Sequence, residues 1–265
     1  MNLILETIIM KKEEEIRELQ SSGTYQHPTP PFPLRNFKRA ISKPDTIHVI
    51  GEIKFASPSA GPILKPRNPV TIAKIYEQAG VSAISVITER EFFHGSLASL
   101  LHIKGQCSLP ILRKDFIFHE SQLLESLNNG ADAVLLIARL VSARKLKDLI
   151  SLTQDLGMAA LVEIHDKRDL EKAMQGGAQI IGINNRDLNS FEVDLTTTKR
   201  LAPKVRPECV LVSESGISSE SDIVALSRFR INAVLVGTAL MKSPAIGDIA
   251  KRLSRVGSEI YRRVN

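Results

Sequence analysis

From about residue 47 onward, short β-branched apolar runs alternate with amphipathic stretches whose apolar residues recur at the helical period, which is the pattern of an α/β protein. The runs that read as strands are Ile47 to Lys54, Ala83 to Thr88, Pro110 to Lys114, Ala133 to Ala138, Ala159 to Glu163, Ile180 to Asn184, Val210 to Ser213 and Ala233 to Val236. There are eight of them, and a helical stretch follows each. An internal repeat supports the count. Ala79-Gly80-Val81-Ser82-Ala83, Asn129-Gly130-Ala131-Asp132-Ala133 and Gly176-Gly177-Ala178-Gln179-Ile180 each stop a helix at glycine and start a strand. A fourth copy, Arg230-Ile231-Asn232-Ala233, has arginine in the glycine position, so its helix is expected to end differently.

An open, doubly wound sheet would place a glycine-rich dinucleotide turn after its first strand, whereas the text there is Glu52-Ile53-Lys54-Phe55-Ala56-Ser57-Pro58. A closed (β/α)8 TIM barrel fits better, and 265 residues are enough for one such unit. Residues 1–46 stand outside the eight units. Leu3 to Leu19 reads as a charged amphipathic helix, and Gln26 to Pro33 holds four prolines in eight positions, so it should be helix-free. The division expected is an amino-terminal extension of helix and Pro-rich arm, 1–46, laid across one end of a catalytic barrel, 47–265.

Composition narrows the function classes. With 43% hydrophobic and 24% charged residues the chain can bury a large core. No stretch approaches 18 apolar residues, and Glu6 comes too early for a signal-peptide core, so a membrane partner is not expected and the location expected is cytoplasmic. Cys107 and Cys209 lie far apart without a CxxC partner, which excludes a disulfide framework and a thiolate metal site. A net charge of +6 raises nucleic acid as a partner, but the basic residues form no stripe and there is no tryptophan to stack on bases. The partner expected is a small anionic molecule. The six histidines have neither HxxxH nor HExxH spacing, so no metal is expected, and no serine sits in a G-x-S-x-G elbow.

In such a barrel the working residues lie at the carboxyl ends of the strands. Glu52 and Lys54 are two apart and share a strand face, expected to be the lumen. Further strand ends read Leu112-Arg113-Lys114-Asp115, Leu161-Val162-Glu163-Ile164-His165, Gly182-Ile183-Asn184-Asn185-Arg186 and Ser213-Glu214-Ser215-Gly216. A single Lys or Glu at a strand end is more often solvated or half of a surface ion pair. Charged groups from five strand ends converging on one low-dielectric mouth point instead to a ligand that compensates them. Ser215-Gly216 after strand seven and Gly237-Thr238 after strand eight each lead into a helix, where backbone N–H groups can cradle a phosphate.

Read in order, these segments resemble the indole-3-glycerol phosphate synthase family along nearly the whole chain. The resemblance is carried by Glu52-Ile53-Lys54 running into Ser57-Pro58-Ser59, Phe93-His94-Gly95-Ser96, Leu112-Arg113-Lys114-Asp115-Phe116, Leu161-Val162-Glu163-Ile164, Gly182 to Leu188, Ser213 to Ile217 and Gly237 to Met241. Phe55 departs from the family, which usually has a basic residue there. The resemblance implies conversion of 1-(2-carboxyphenylamino)-1-deoxyribulose 5-phosphate to indole-3-glycerol phosphate with loss of carbon dioxide and water, and it implies no cofactor. It assigns ring-closure acid to Lys114 and the dehydration proton transfers to Glu163 and Lys54, their division open, with Glu52 orienting Lys54 and Asn184 holding a hydroxyl or developing charge. Arg186 would grip the anthranilate carboxylate through its planar fork. Phe93, Phe116 and Ile137 would wall the aryl ring, and Ser57, Glu214, Ser215, Gly216, Gly237 and Thr238 would complete substrate and phosphate binding. The enzyme would act as a monomer or weak homo-oligomer. Two rival readings remain at this point, another phosphate-binding barrel enzyme such as a phosphoribosylanthranilate isomerase and a barrel that only binds a phosphorylated metabolite; neither calls for the Glu52/Lys54 pair together with Lys114.

Overall fold

The computed structural model describes residues 3–23, 27–57, 61–62, 68–188 and 190–260. Eight parallel strands, β1 (His48–Ile53), β2 (Ala83–Ile87), β3 (Ile111–Ile117), β4 (Ala133–Ile137), β5 (Ala159–Ile164), β6 (Ile180–Asn184), β7 (Val210–Glu214) and β8 (Ala233–Val236), pair in sequence order, and β1 closes the circle by pairing with both β2 and β8. The expected α/β barrel is thus the observed fold. Alternation along each strand separates two apolar layers. Ile50, Leu112, Leu135, Leu161, Val212 and Leu235 fill the lumen, while Val49, Val86, Val134, Val162, Ile181 and Leu211 pack outward against the helices.

The glycines of the repeat do what their position requires: Gly80, Gly130 and Gly177 have φ of 78°, 85° and 80°, the left-handed turn that lets a helix stop and a strand begin. Arg230 corrects the expectation for the fourth copy. It adopts the same left-handed conformation, φ 53°, instead of a different ending. A side chain there is strained by about 1 kcal/mol, and the Arg230 guanidinium offsets this by donating to the Val205 and Arg206 carbonyls at 3.0 and 3.3 Å. Strand β3 runs on to Ile117, three residues past the expected end, through an irregularity in its pairing with β4 between Arg113 and Ile117.

The amino-terminal extension departs from expectation more usefully, because it covers both ends of the barrel and not one. Helix Leu3–Ser22 buries Leu5, Ile8, Lys12 and Ile16, a stripe at helical spacing, and Ile4, Leu5 and Ile8 look into the mouth at the carboxyl ends of the strands. The charged member of the stripe has a purpose: Lys12 Nζ lies 3.0 Å from Asp115 Oδ1, with both side chains almost fully buried. The chain then descends along helix Glu120–Asn128, where Thr29 N donates to Asn128 Oδ1 and Asn128 Nδ2 to the His27 carbonyl. At the opposite end Arg35 N donates to Asp132 Oδ1, and the Arg35 guanidinium donates to the Leu109 and Lys104 carbonyls. Asp132 also accepts from Lys104, a buried pair beneath the strands. Phe37 and Ile41, 1% and 0% exposed, then plug the bottom of the lumen as part of its inner apolar layer. Among the described residues no helix is long and apolar enough to cross a membrane.

Candidate active site

A cavity of about 500 Å³ opens at the carboxyl ends of the strands. It is built one strand end at a time. From β1, Glu52 projects into the lumen, and Lys54 curls back so that its Nζ is 3.0 Å from Glu52 Oε1 and donates to Thr238 Oγ1 at 3.2 Å. The expected pairing across two positions is therefore present. From β3, Lys114 Nζ reaches across the lumen to Glu163 Oε2 of β5 at 3.3 Å and Glu214 Oε2 of β7 at 3.6 Å. One ammonium sits between two carboxylates.

Burial and charge work against each other here. Burial disfavours the Lys114 ammonium, but Glu163, Glu214 and Glu52 outweigh it and hold the proton more tightly than on a free lysine. Glu163 is pulled the other way from burial by Lys114, then by His165 and a hydrogen bond from Asn184, and titrates below the usual carboxylate range. Glu214 has the opposite fate. Burial dominates, Lys114 relieves only part of it, Glu163 and Glu52 add repulsion, and the carboxyl is pushed up to about 8. Among the described residues, with Lys114 no nearer than 3.6 Å, neither of its oxygens is within hydrogen-bond geometry of a partner. Two carboxyls that share one ammonium thus differ in protonation near neutrality, the arrangement that separates acid from base roles.

Two glycines make room for these acids. A Cβ at Gly182 would lie 2.0 Å from Glu214 Oε1, and one at Gly237 2.3 Å from Glu52 Oε1. Gly182 therefore serves space in the lumen.

The apolar side of the cavity is Phe93, Phe116 and Ile137, with the two phenyl rings 6.4 Å apart and tilted by 46°. Leu188, Phe191 and Val193, in the segment after β6, extend that wall. Arg186 also lines the cavity, but its Nη1 donates to the Phe191 carbonyl at 2.8 Å, so part of its fork braces its own loop. Burial lowers its proton affinity, with Glu52 opposing. Asn184 Oδ1 accepts from Arg186 N at 3.0 Å and so sets where the arginine leaves the strand. On the far rim, Ser215 and Gly216 take successive left-handed conformations, φ 64° and 84°, and Gly237 and Thr238 begin the short helix Thr238–Lys242. All four line the cavity. The Ser57 backbone pairs with Gly61 after β1; its side chain, and Pro58 and Ser59 of the quoted motif, fall outside the described residues.

Not every charged strand-end residue joins the site. Arg113 and Asp115 flank Lys114, and although Asp115 borders the cavity, both side chains are engaged outward, where Arg113 bonds Glu125 at 2.8 Å and Asp115 receives Lys12, Arg113 Nη2 and Thr88 Oγ1. Asn185 likewise turns outward; its Nδ2 donates to Ser213 Oγ and to the Glu214 and Ser215 carbonyls, and its Oδ1 accepts from Thr198, which pins the turn at Ser215.

Sequence reasoning passed over Glu89, whose carboxylate accepts the N–H groups of Glu91, Phe92 and Phe93 at 2.9–3.0 Å and thereby fixes the loop that presents Phe93. An acid directly after an expected strand and three residues before an aromatic pair was the available signal. Lys242 at the rim and the helix residues Ile4, Leu5 and Ile8 were also missed. Among the described residues no group of three His, Cys, Asp or Glu is placed to hold a metal ion.

Comparison with known proteins gives a consistent result. A family sequence model described as "Indole-3-glycerol phosphate synthase" matches residues 5–253. The indole-3-glycerol phosphate synthase of Desulfotalea psychrophila is 41% identical over 262 residues, covering 96% of this chain and 100% of that one. Those of Dehalococcoides mccartyi strain CBDB1 and Aquifex aeolicus are 50% and 45% identical over 210 residues, covering 78% of this chain in both cases and 80% and 81% of theirs. Among solved structures, a 3-hexulose-6-phosphate synthase superposes with a TM-score of 0.65 at 13% identity, covering 79% of this chain and 99% of that one. At that identity the likeness concerns the fold alone.

Proposed function

Because this chain belongs to the indole-3-glycerol phosphate synthase family, we propose that the mouth of its barrel closes the indole ring with the residues just placed, each in a definite role. The reaction converts 1-(2-carboxyphenylamino)-1-deoxyribulose 5-phosphate to indole-3-glycerol phosphate, releasing carbon dioxide and water, a step of tryptophan biosynthesis carried out by a carboxy-lyase. The observation that carries the assignment of roles is Lys114 held between Glu163 and Glu214. As the aryl carbon attacks the ketone, negative charge grows on the ketone oxygen, and the Lys114 ammonium at the centre of the mouth donates to it. Loss of the carboxylate as carbon dioxide restores the aromatic ring. Dehydration then needs a base and an acid. Glu163, held ionised by Lys114 and its other neighbours, is the base, which leaves the Lys54 ammonium, braced by Glu52 at 3.0 Å, to protonate the departing hydroxyl.

The remaining contacts follow from shape and charge. Phe93, Phe116 and Ile137 hold the aryl ring, Arg186, whose guanidinium borders the cavity, takes the anthranilate carboxylate, and Asn184 holds a substrate hydroxyl. The phosphate lies between the Ser215-Gly216 and Gly237-Thr238 turns, bound largely by backbone N–H groups. Residues 1–46 act as cover and plug of the catalytic barrel 47–265, and the enzyme works in the cytoplasm as a monomer or weak homo-oligomer. Incubating the pure protein with the carboxyphenylamino substrate should produce indole fluorescence, and product soaked into crystals should place its phosphate between the two turns. No fluorescence with a folded protein would overturn the activity; a phosphate elsewhere would overturn the pose.

A further inference from the structure

His165 is a buried titratable group beside the site that the proposed chemistry leaves unused. It follows Glu163 by two positions, one residue past the end of β5. Its ring lies behind Glu163 and does not line the cavity. Nε2 is 3.3 Å from Glu163 Oε1, the oxygen turned away from Lys114, and Nδ1 is 3.6 Å from Asp169 Oδ2. Arg139, from the turn after β4, holds Asp169 in turn at 3.2 Å and the exposed Asp166 at 3.4 Å. A line of contacts, Lys114, Glu163, His165, Asp169, Arg139, therefore runs from the cavity to a half-buried arginine.

The helix that follows does not need this imidazole. Asp166 caps it by accepting Asp169 N at 2.8 Å, and the backbone N–H of His165, not its ring, donates to Asp169 Oδ2 at 3.1 Å. A side chain 4% exposed is spent on facing two carboxylates, and neither ring nitrogen yet has hydrogen-bond geometry. Contacts of this kind are commonly long before substrate arrives and shorten around it.

We propose that His165 is a positioning residue for Glu163: its Nε2, backed by Asp169 at Nδ1, holds Oε1 against the barrel wall so that Oε2 stays aimed into the cavity. Without a hold on Oε1, Glu163 keeps only Lys114 and Asn184 among the partners just named, and a base displaced by about 1 Å can lose as much as 10²-fold in rate. The attraction of the ring for Glu163, second to that of Lys114, also opposes the effect of burial on this carboxyl. The inference rests on Glu163 being the dehydration base.

Three variants test it. His165→Phe and His165→Asn should lower kcat roughly 10- to 100-fold with KM within a few-fold, and should move the acid limb of the kcat–pH profile upward, because Glu163 loses one attracting neighbour. Asn reproduces only the Nδ1 side of the ring, and it remains informative if the Phe variant does not fold. His165→Gln, whose amide nitrogen reaches as far as Nε2, should recover kcat to within a few-fold. A merely structural histidine would shift the melting temperature and leave the acid limb where it was. A folded His165→Asn with the parent's kcat and acid limb overturns the proposal. Glu163→Gln is measured alongside: if it keeps the parent's kcat, the premise about the base fails and this inference with it, whereas an inactive Glu163→Gln beside an unaffected His165→Asn sinks this inference alone.

Discussion

Replacing Lys114 with methionine keeps most of the side-chain volume and removes only the charge, so its consequences can be worked out from the distances. At 3.3 Å and an effective dielectric constant of 20, one ionised Lys–Glu pair is worth about 5 kcal/mol of Coulomb attraction before desolvation. Glu214, pushed up to about 8, carries little charge at pH 7, so only the Glu163 pair counts. Removing one partner of a buried pair costs about 3–5 kcal/mol, and Glu163 can limit the loss by taking up a proton, which favours the lower end. A loss of about 3 kcal/mol in a chain of this size lowers the melting temperature by roughly 6–12 °C. Since the fold holds the Lys114 proton more tightly than the unfolded chain does and holds Glu163 ionised below the usual carboxylate range, this contribution is intact throughout the neutral range; it is lost in strong alkali, as pH rises through the lysine's folded-state value, and in acid, as pH falls through that of Glu163. In catalysis the missing proton donor should lower kcat by about 10²- to 10⁴-fold, while the phosphate turns and Arg186 keep KM within about tenfold. Steady-state fluorescence kinetics at 25 °C, with a melting curve on the same sample, read both effects. A Lys114→Met enzyme with kcat within a few-fold of the parent would refute the reasoning and pass the ring-closure role to Lys54.

Three further outcomes are expected. For Glu214→Gln, the sign follows from a carboxyl that keeps its proton in the fold to about 8 but releases it near 4.5 when unfolded: the parent should lose stability as pH rises between those values, and its kcat/KM should fall above about pH 8 as a new negative charge meets an anionic substrate. The Gln variant should flatten both trends, and an unchanged alkaline limb would assign that titration to another group. Gly182→Ala should cut kcat at least tenfold while costing only about 1–3 kcal/mol of stability, because the new Cβ, 2.0 Å from Glu214 Oε1, displaces the end of a flexible side chain and not backbone; a variant of normal kcat would show that Glu214 has room to spare. Turnover should survive exhaustive chelation, and loss with EDTA followed by rescue with a divalent ion would contradict that.

The barrel was legible because its signals are local and repeated: helix-stopping glycines at 80, 130 and 177, then β-branched runs. The convergence of Glu52, Lys54, Lys114, Glu163, Asn184 and Glu214 followed from strand ends alone. What alternation could not say was which of two adjacent charges faces the lumen, since barrel strands are buried on both faces; Arg113 and Asp115 read like site residues for this reason. The lower half of the extension was invisible because Phe37 and Ile41 are only two apolar residues in a short polar stretch, with no period to reveal that they close the lumen. Arg230 misled because a side chain in the left-handed region is rare, and its compensation comes from carbonyls more than twenty residues away. Glu89 acts through backbone N–H groups, which leave no mark on side-chain patterning.

The contact between Lys12 and Asp115 ties the amino-terminal helix to the very strand that carries Lys114, one residue facing each way through the wall. Whatever the occupant of the cavity does to hold that strand end, the helix feels, and by thermodynamic reciprocity an occupant that gains from the docked helix must itself tighten the docking by the same factor. Slow amide exchange in residues 3–22 and resistance to trypsin at Arg17 thus become gauges of occupancy, readable without any turnover. On a protein so built, a protease can report whether a small molecule has been captured some distance from the bond it cuts.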